Sequence, residues 1–379
     1  MNSRESSRIR RVSVVAAVAA TAFGLSVSVI PTASAAPDGP VVYFMQPNTT
    51  PTRYLQQDGP KFAKELAKLV PGVQVKFVNA GGKSAKQLSQ AQQAIAAGAK
   101  ALVVVAADPA TSAGMLKFAA SKKVPVIGYE NPPLNGPMTS QVIFSPRSAG
   151  EVQGRYFASQ VNAGKFGAGP VKLARLYGNK GDVYTTQMLD GQNQYLQPLI
   201  NSGKIQVVCE DYVTNWDPAD AQSKMEQCLT KTQNGISAVL GFYDGITSGA
   251  IAAMTAKGVK VPVYGGQNPE LIGLQYMLTG QQEDMVMKDF GKEAKVAAQL
   301  TAAALKGQTP PKPPINGVVN NGAANIPTAS ISVDYFYLVP GKDIGATIDT
   351  KVVKQNIFTW KQICTGVAAD TATCKKYNR

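Results

Sequence analysis

Val41-Val42-Tyr43-Phe44-Met45, Val73-Gln74-Val75-Lys76-Phe77-Val78, Ala101-Leu102-Val103-Val104-Val105 and Val124-Pro125-Val126-Ile127-Gly128 are four short apolar runs. Each of the first three is followed by a helical stretch before the next begins. Strands of this length alternating with amphipathic helices predict an α/β fold with a doubly wound parallel sheet. A second set of such units starts after Phe144-Ser145-Pro146. Its strands are Val171-Lys172-Leu173-Ala174-Arg175-Leu176, Ile205-Gln206-Val207-Val208-Cys209, Ala238-Val239-Leu240-Gly241 and Val261-Pro262-Val263-Tyr264-Gly265-Gly266, with helices over 182–200, 219–232 and 246–257. Two such halves predict two Rossmann-like lobes, each with its own parallel sheet.

The ends carry different information. Arg4, Arg8, Arg10 and Arg11 precede an apolar stretch over 14–30, and Ala33-Ser34-Ala35 offers small residues for cleavage. Residues 1–35 therefore read as an export signal, with the mature chain beginning at Ala36 in a periplasm or outside the cell. No later run is apolar enough to span a bilayer. The whole chain has 379 residues and a formal charge of +14, which falls to about +11 once four Arg and Glu5 leave with the signal. The basic residues are scattered singly or in pairs, without a dense block interleaved with aromatics, so no nucleic-acid partner is expected.

There are four cysteines and no histidine. In an exported chain the four should pair. Local pairing, Cys209 with Cys228 and Cys364 with Cys374, is the simplest of the three connectivities. Without histidine, Ser-His-Asp and Cys-His catalytic sets and imidazole metal sites are absent. Gly81-Gly82-Lys83-Ser84 lacks the upstream glycine of a phosphate loop, since Phe77 stands there. It reads as an ordinary turn with Ser84 capping the next helix. No cofactor is implied.

In open α/β sheets ligands bind beyond the carboxyl ends of the strands. Those positions carry Gln46-Pro47-Asn48 and Arg53, Asp108, Glu130-Asn131, Asn179 to Tyr184 with Asp182 among them, Trp216, Tyr243-Asp244 and Gln267-Asn268. Amides, carboxylates and Arg pair with hydroxyls, while aromatic faces cover C–H surfaces, a mixture suited to a sugar. Arg53 and Asp58 stand five apart, a poor spacing for an ion pair on a helix surface, so Arg53 is expected at the cleft edge. Asn215, Asp217 and Pro218 around Trp216 are loop chemistry, so its ring is expected to face a ligand.

Over residues 41–350 the chain resembles the periplasmic sugar-binding proteins of ABC importers, ribose-binding-like in fold and closest to the xylose-binding branch. The resemblance is carried by Thr52-Arg53-Tyr54 with Asp58, by 141–150, and by Asn201-Ser202-Gly203-Lys204-Ile205. It continues through Trp216-Asp217-Pro218 with Ala221, Gly265-Gly266-Gln267, Met287-Lys288, and Val319-Asn320-Asn321-Gly322 with Ile326-Pro327. It implies a type I periplasmic binding protein fold with three interlobe crossings, near 144–146, 284–289 and 328–333. The first lobe would comprise 41–144 plus 289–328 and the second 145–284 plus part of 330–350, leaving 351–379 as a disulfide-bearing extension.

The resemblance further implies that Arg53, Glu130, Asn131, Asp182, Trp216, Tyr243, Asp244, Gln267, Asn268 and Lys288 bind ligand. Trp216 would stack on a pyranose face, and Lys288 would donate to a ligand hydroxyl or brace the hinge. The pattern departs from the xylose branch at Tyr243, Asn268 and Val183-Tyr184, where an amide, an acid and two amides would stand. The expected function is capture of a small sugar by a monomer and its delivery to a membrane permease. A sensory module presenting ligand to a receptor would use the same fold. A glycoside hydrolase would need two carboxylates, for which Glu130 and Asp244 are the pair to suspect. A binder needs the same groups only as acceptors, and the expectation is not an enzyme.

Overall fold

The computed structural model describes residues 39–378; the export segment read at 1–35 lies outside the described residues. The first lobe is built on β1 (Val41–Gln46), β2 (Gln74–Asn79), β3 (Ala101–Val104), β4 (Val126–Tyr129) and β5 (Ser140–Phe144), with helices α1 (Gly59–Leu69), α2 (Ser84–Ala96) and α3 (Ala113–Ser121) between them. β3 and β4 are buried along their whole length. Helices cover both faces of a parallel sheet, so its central strands read as unbroken apolar runs. β2 lies at the sheet edge and is largely exposed. Ser84 does not cap α2: it is the first helical residue, and Lys83 holds the cap position without a side-chain bond.

The second lobe follows with α4 (Pro146–Asn162), β6 (Val171–Tyr177), α5 (Val183–Asn201), β7 (Ile205–Tyr212), α6 (Pro218–Lys231), β8 (Ala238–Gly241), α7 (Asp244–Ala256), β9 (Val263–Gly265), α8 (Leu271–Thr279) and β10 (Asp284–Met287). Its helices start where their sequences dictate. The side chains of Ser145, Asp182 and Asp217 accept from backbone amides in the first turns of α4, α5 and α6, and Pro146 and Pro218 occupy first helical positions. Cys209 on β7 is bonded to Cys228 on α6. Closing that loop restricts the unfolded chain by about 3 kcal/mol.

The chain then returns to the first lobe. Helix α9 (Phe290–Leu305) packs against α1, and a hairpin of β11 (Gly317–Asn320) and β12 (Asn325–Ile331) completes the first sheet in the order β11-β12-β5-β4-β3-β1-β2. All its pairings are parallel except β11 with β12. The hairpin was not legible as such in the apolar pattern. Its β11 is exposed throughout and carries no core signal. β13 (Asp334–Tyr337) crosses back to pair antiparallel with β10, which is bridged to the second sheet, β7-β6-β8-β9, through Gln267 and Val286. The three crossings follow Phe144, Met287 and Ile331.

Apolar clusters occupy each lobe. Phe44, Phe62 and Tyr129 belong to the first, and Met188, Val239, Phe242 and Ile246 to the second. A third cluster joins Met285, Met287, Phe290 and Phe336 to Ile348, Ile357, Trp360 and Ile363. The C-terminal segment, closed by the Cys364–Cys374 bond, thus packs beside the second and third crossings. It also touches the first lobe, where Gln57 Nε2 donates to the Ile357 carbonyl at 2.7 Å and Lys61 Nζ to the Asn356 carbonyl at 3.0 Å.

Helices α4 and α5 pack backbone against backbone. A Cβ built on Gly150 would lie 2.0 Å from the Met188 carbonyl oxygen. Gly150→Val should therefore force the pair apart and destabilise the protein by about 1–3 kcal/mol, as overpacking does. Denaturant unfolding followed by circular dichroism measures this, and an unchanged midpoint would contradict the close approach.

Candidate functional site

Both sheets reverse strand order next to their first strand, β1 between β2 and β3, and β6 between β7 and β8. Adjacent loops diverge at such a point and leave a crevice beyond the strand ends. The two crevices face each other across a cleft that opens to solvent. The first lobe contributes Pro47, Asn48, Thr50, Pro51 and Tyr54 after β1, Val105 to Ala107 and Pro109 after β3, and Glu130 and Asn131 after β4. From the second lobe come Asn179, Asp182 and Tyr184 after β6, Asn215 and Trp216 after β7, and Gln267 and Asn268 after β9. Lys288 follows β10 at the second crossing. The walls touch at Asn131 Nδ2, which lies 3.5 Å from Asp182 Oδ2.

Asp182 has two tasks. Its Oδ1 accepts from the Tyr184 amide at 2.9 Å as the cap of α5, which fixes the carboxylate and leaves Oδ2 toward the opposite wall. Burial pushes its carboxyl up to about 6, although the Tyr184 amide, Trp216 and Asn131 pull it down. Trp216 is held by its surroundings. The rings of Tyr184 and Tyr243 meet it edge-on, with centroids 6.2 and 6.1 Å away. A Cβ on Gly178 would lie 2.2 Å from the indole, so only glycine admits the ring there. The backbone of Trp216 is left-handed (φ 58°), as are those of Asn215, Glu130 and Asn268. Left-handed non-glycine residues cost energy and persist where surrounding structure imposes them.

Seven of the expected site residues line the cleft: Glu130, Asn131, Asp182, Trp216, Gln267, Asn268 and Lys288. Arg53, Tyr243 and Asp244 stand behind it. Residues Tyr54–Asp58 form a π-helical turn. Its i→i+5 geometry sets Arg53 over Asp58, so a spacing that is poor for an ion pair on a helix surface is favourable here. Tyr243 is covered by Trp216. Asp244 is fully buried; its Oδ2 accepts from the Glu270 amide at 2.7 Å and its Oδ1 from Gln282 at 3.3 Å, bracing the loop that carries Gln267 and Asn268. Glu130 and Asp244 therefore do not face one another across the cleft as a hydrolytic pair would.

The family described as periplasmic binding protein domain matches residues 42–309, well over half of the chain. The chain belongs to the periplasmic binding protein family. Among curated relatives, the multiple sugar-binding periplasmic receptor ChvE of Rhizobium radiobacter is 28% identical over 79% of this chain and 86% of its own. The D-xylose-binding periplasmic protein of Escherichia coli (strain K12) is 28% identical over 72% and 79%. Among solved structures, an ABC transporter solute binding protein from Clostridium phytofermentans with bound β-D-glucose superposes with a TM-score of 0.76. It covers 85% of this chain and 99% of that one, at 23% identity, and shares the fold.

Beneath the cleft of this binding protein lies a buried ionic floor. Arg53 Nε and Nη2 donate to both oxygens of Asp58 at 2.7 Å, and Nη1 reaches Glu130 Oε1 at 3.1 Å and Asn268 Oδ1 at 3.4 Å. Nη2 also donates to Glu293. The Tyr129 hydroxyl donates to Asp58. Lys288 donates to Glu130 Oε1 and to the Tyr184 hydroxyl, which in turn donates to Gln267 Oε1 at 3.2 Å. Burial holds the Lys288 ammonium below its ordinary value, with Glu130 pulling the other way. Tyr184 falls within the strand-end positions named from the sequence, whereas Asp58, Tyr129 and Glu293 are not among the residues expected to bind ligand. The available signal for Glu293 was a lone carboxylate on the apolar stripe of an Ala-rich helix. Nothing local marked Tyr129.

Removing one member of a buried ion pair leaves the other uncompensated, at about 3–5 kcal/mol. Lys288→Met should lower unfolding free energy by about that amount, while a substitution at exposed Lys257 should be nearly silent. Equal effects at the two positions in urea titration would contradict the buried floor.

Proposed function

We propose that this protein is the exported, monomeric substrate-binding component of an ABC importer, capturing a small neutral sugar, a xylose-like monosaccharide or related polyol, and delivering it to a membrane permease. The observation that carries the reading is Trp216, held in a left-handed backbone at the cleft wall and flanked by the carboxylate of Asp182. An indole face covers the C–H surface of a pyranose, and a ring of amides and one carboxylate satisfies its hydroxyls. Asn48, Asn131, Asn179, Asn215, Gln267 and Asn268 supply those amides. The sugar-binding names of the curated relatives support the same class.

Ligand contacts both walls only when they approach, so it binds the closed form more tightly and shifts the population toward it. The permease would then recognise the closed outer surface. A micromolar ligand requires about −8 kcal/mol, within reach of several such hydrogen bonds and one stacked ring.

Calorimetric titration of the protein, refolded to strip retained ligand, with a panel of aldoses, ketoses and polyols tests the reading. Saturable one-to-one heat with a panel member is expected, and silence across the panel in a folded sample would overturn it. Trp216→Ala should weaken binding at least tenfold, about 1.4 kcal/mol, with the melting temperature little changed. Because an ionised Asp182 accepts hydroxyl hydrogen bonds more strongly than a protonated one, affinity should fall as pH drops through about 6. Asp182→Asn should flatten that profile, and an unchanged slope in the variant would remove Asp182 from the ligand shell.

A further inference from the structure

Two cations meet three carboxylates in the floor of the cleft: Arg53 and Lys288 against Asp58, Glu130 and Glu293. All five side chains are buried. Such a cluster is stable when its charges balance, and here balance requires one proton on a carboxylate. The donors decide which one holds it. Asp58 receives the Arg53 fork and the Tyr129 hydroxyl, and Glu130 Oε1 receives Lys288 and Arg53. Glu293 receives Arg53 alone, on Oε2. Its Oε1, and Oε2 of Glu130, are buried oxygens with no other donor. The Glu130 and Glu293 side chains lie within hydrogen-bonding reach of each other, so one shared proton satisfies both.

We propose that Glu293 is a positioning residue for ligand capture: it remains protonated, donates that proton to Glu130, and so fixes the carboxylate that holds Lys288 and Arg53 at the cleft floor. Lys288 and Arg53 in turn reach Tyr184 and Asn268 on the second lobe. A second negative charge beside Glu130 would draw both cations down and release those cross-lobe contacts. The groups that face Glu293 agree. Burial first, and then the charge of Glu130, push its carboxyl well above the ordinary range, against Arg53. Burial also pushes Glu130 up, but Lys288 and Arg53 together bring it below its ordinary value. Tyr54, Tyr129 and Tyr184, the other titratable groups packed around the cluster, are all held in the neutral form by burial.

The first test needs no ligand. A carboxyl whose folded value lies above its unfolded value of about 4.3 contributes stability at acid pH that is lost as pH rises toward the folded value. Melting curves of wild type and Glu293→Gln across pH 3–9 should show wild type losing ground to the variant as pH rises above about 4.3. If the variant does not fold, Glu293→Met also removes the carboxyl and gives the same difference curve. A wild type that instead gains on the variant between pH 3 and 5 would place an ionised Glu293 beside Arg53 and overturn the proposal. A flat difference would overturn it too.

The second test rests on the sugar-capture reading. With D-xylose as the probe, wild-type affinity should fall several-fold toward alkaline pH and that fall should be absent in Glu293→Gln. The same alkaline slope in both proteins would remove the positioning role. Silence with D-xylose in both, together with the expected melting curves, would leave the proton on Glu293 intact and count against the sugar.

Discussion

The guanidinium of Arg53 is out of contact with water, and its acceptors come from four separate parts of the chain. Asp58 lies in the turn after β1, Glu130 follows β4, Asn268 follows β9, and Glu293 stands on α9. Phe290 lies against it, 4.2 Å from the guanidinium carbon to the ring centroid. A buried guanidinium tolerates no missing partner, so each of these loops is held to the position its acceptor requires. Cleft geometry follows from that demand. Glu130 and Asn268 are both left-handed, and both are gripped by Arg53 from below. The cleft positions of Glu130 and Asn268 are thus oriented by an interaction that lies beneath the cleft surface.

The same arrangement constrains the chemistry of the cleft. Glu130 lines the pocket, yet one oxygen is occupied by Lys288 and Arg53 and the other is buried. Lys288 is likewise taken up by Glu130 and Tyr184. The charges at the floor are therefore consumed internally, and what remains for a guest is amides, one carboxylate at Asp182 and aromatic surface. Such a wall suits an uncharged molecule with many hydroxyls better than an anion or a cation.

Much of this was legible in the residues, and the reasons differ for what was and was not. The doubly wound lobes follow from strand length and spacing, because a buried parallel strand such as β3 advertises itself as an unbroken apolar run. Cleft residues were legible as a class, since the ends of parallel strands are known once the strands are. Asp182 and Trp216 were found that way. Whether a residue at a strand end faces the cleft or supports it from behind depends on local backbone form. The pairing of Arg53 with Asp58 is hidden from the sequence because a π-helical turn brings residues five apart together, and no composition marks such a turn. Asp244 and Tyr243 sit one layer deeper because the loop after β9 and the indole of Trp216 cover them. Glu293 is joined to Arg53 across 240 positions of sequence, and no periodicity in α9 points to its partner.

The return of the chain to its first lobe also governs the order in which the molecule can be assembled. β12 lies beside β5 although Thr328 and Gln141, whose side chains are bonded at 3.0 Å, are 187 positions apart. Contacts of such separation form only after a large loop has been closed, and they slow folding accordingly. The sheet that supports Asn48 and Glu130 keeps an unpaired edge at β5 until the end of the chain has emerged, and α9 with Glu293 arrives equally late. The site therefore draws on both the first third of the polypeptide and the last, and neither part alone supplies it.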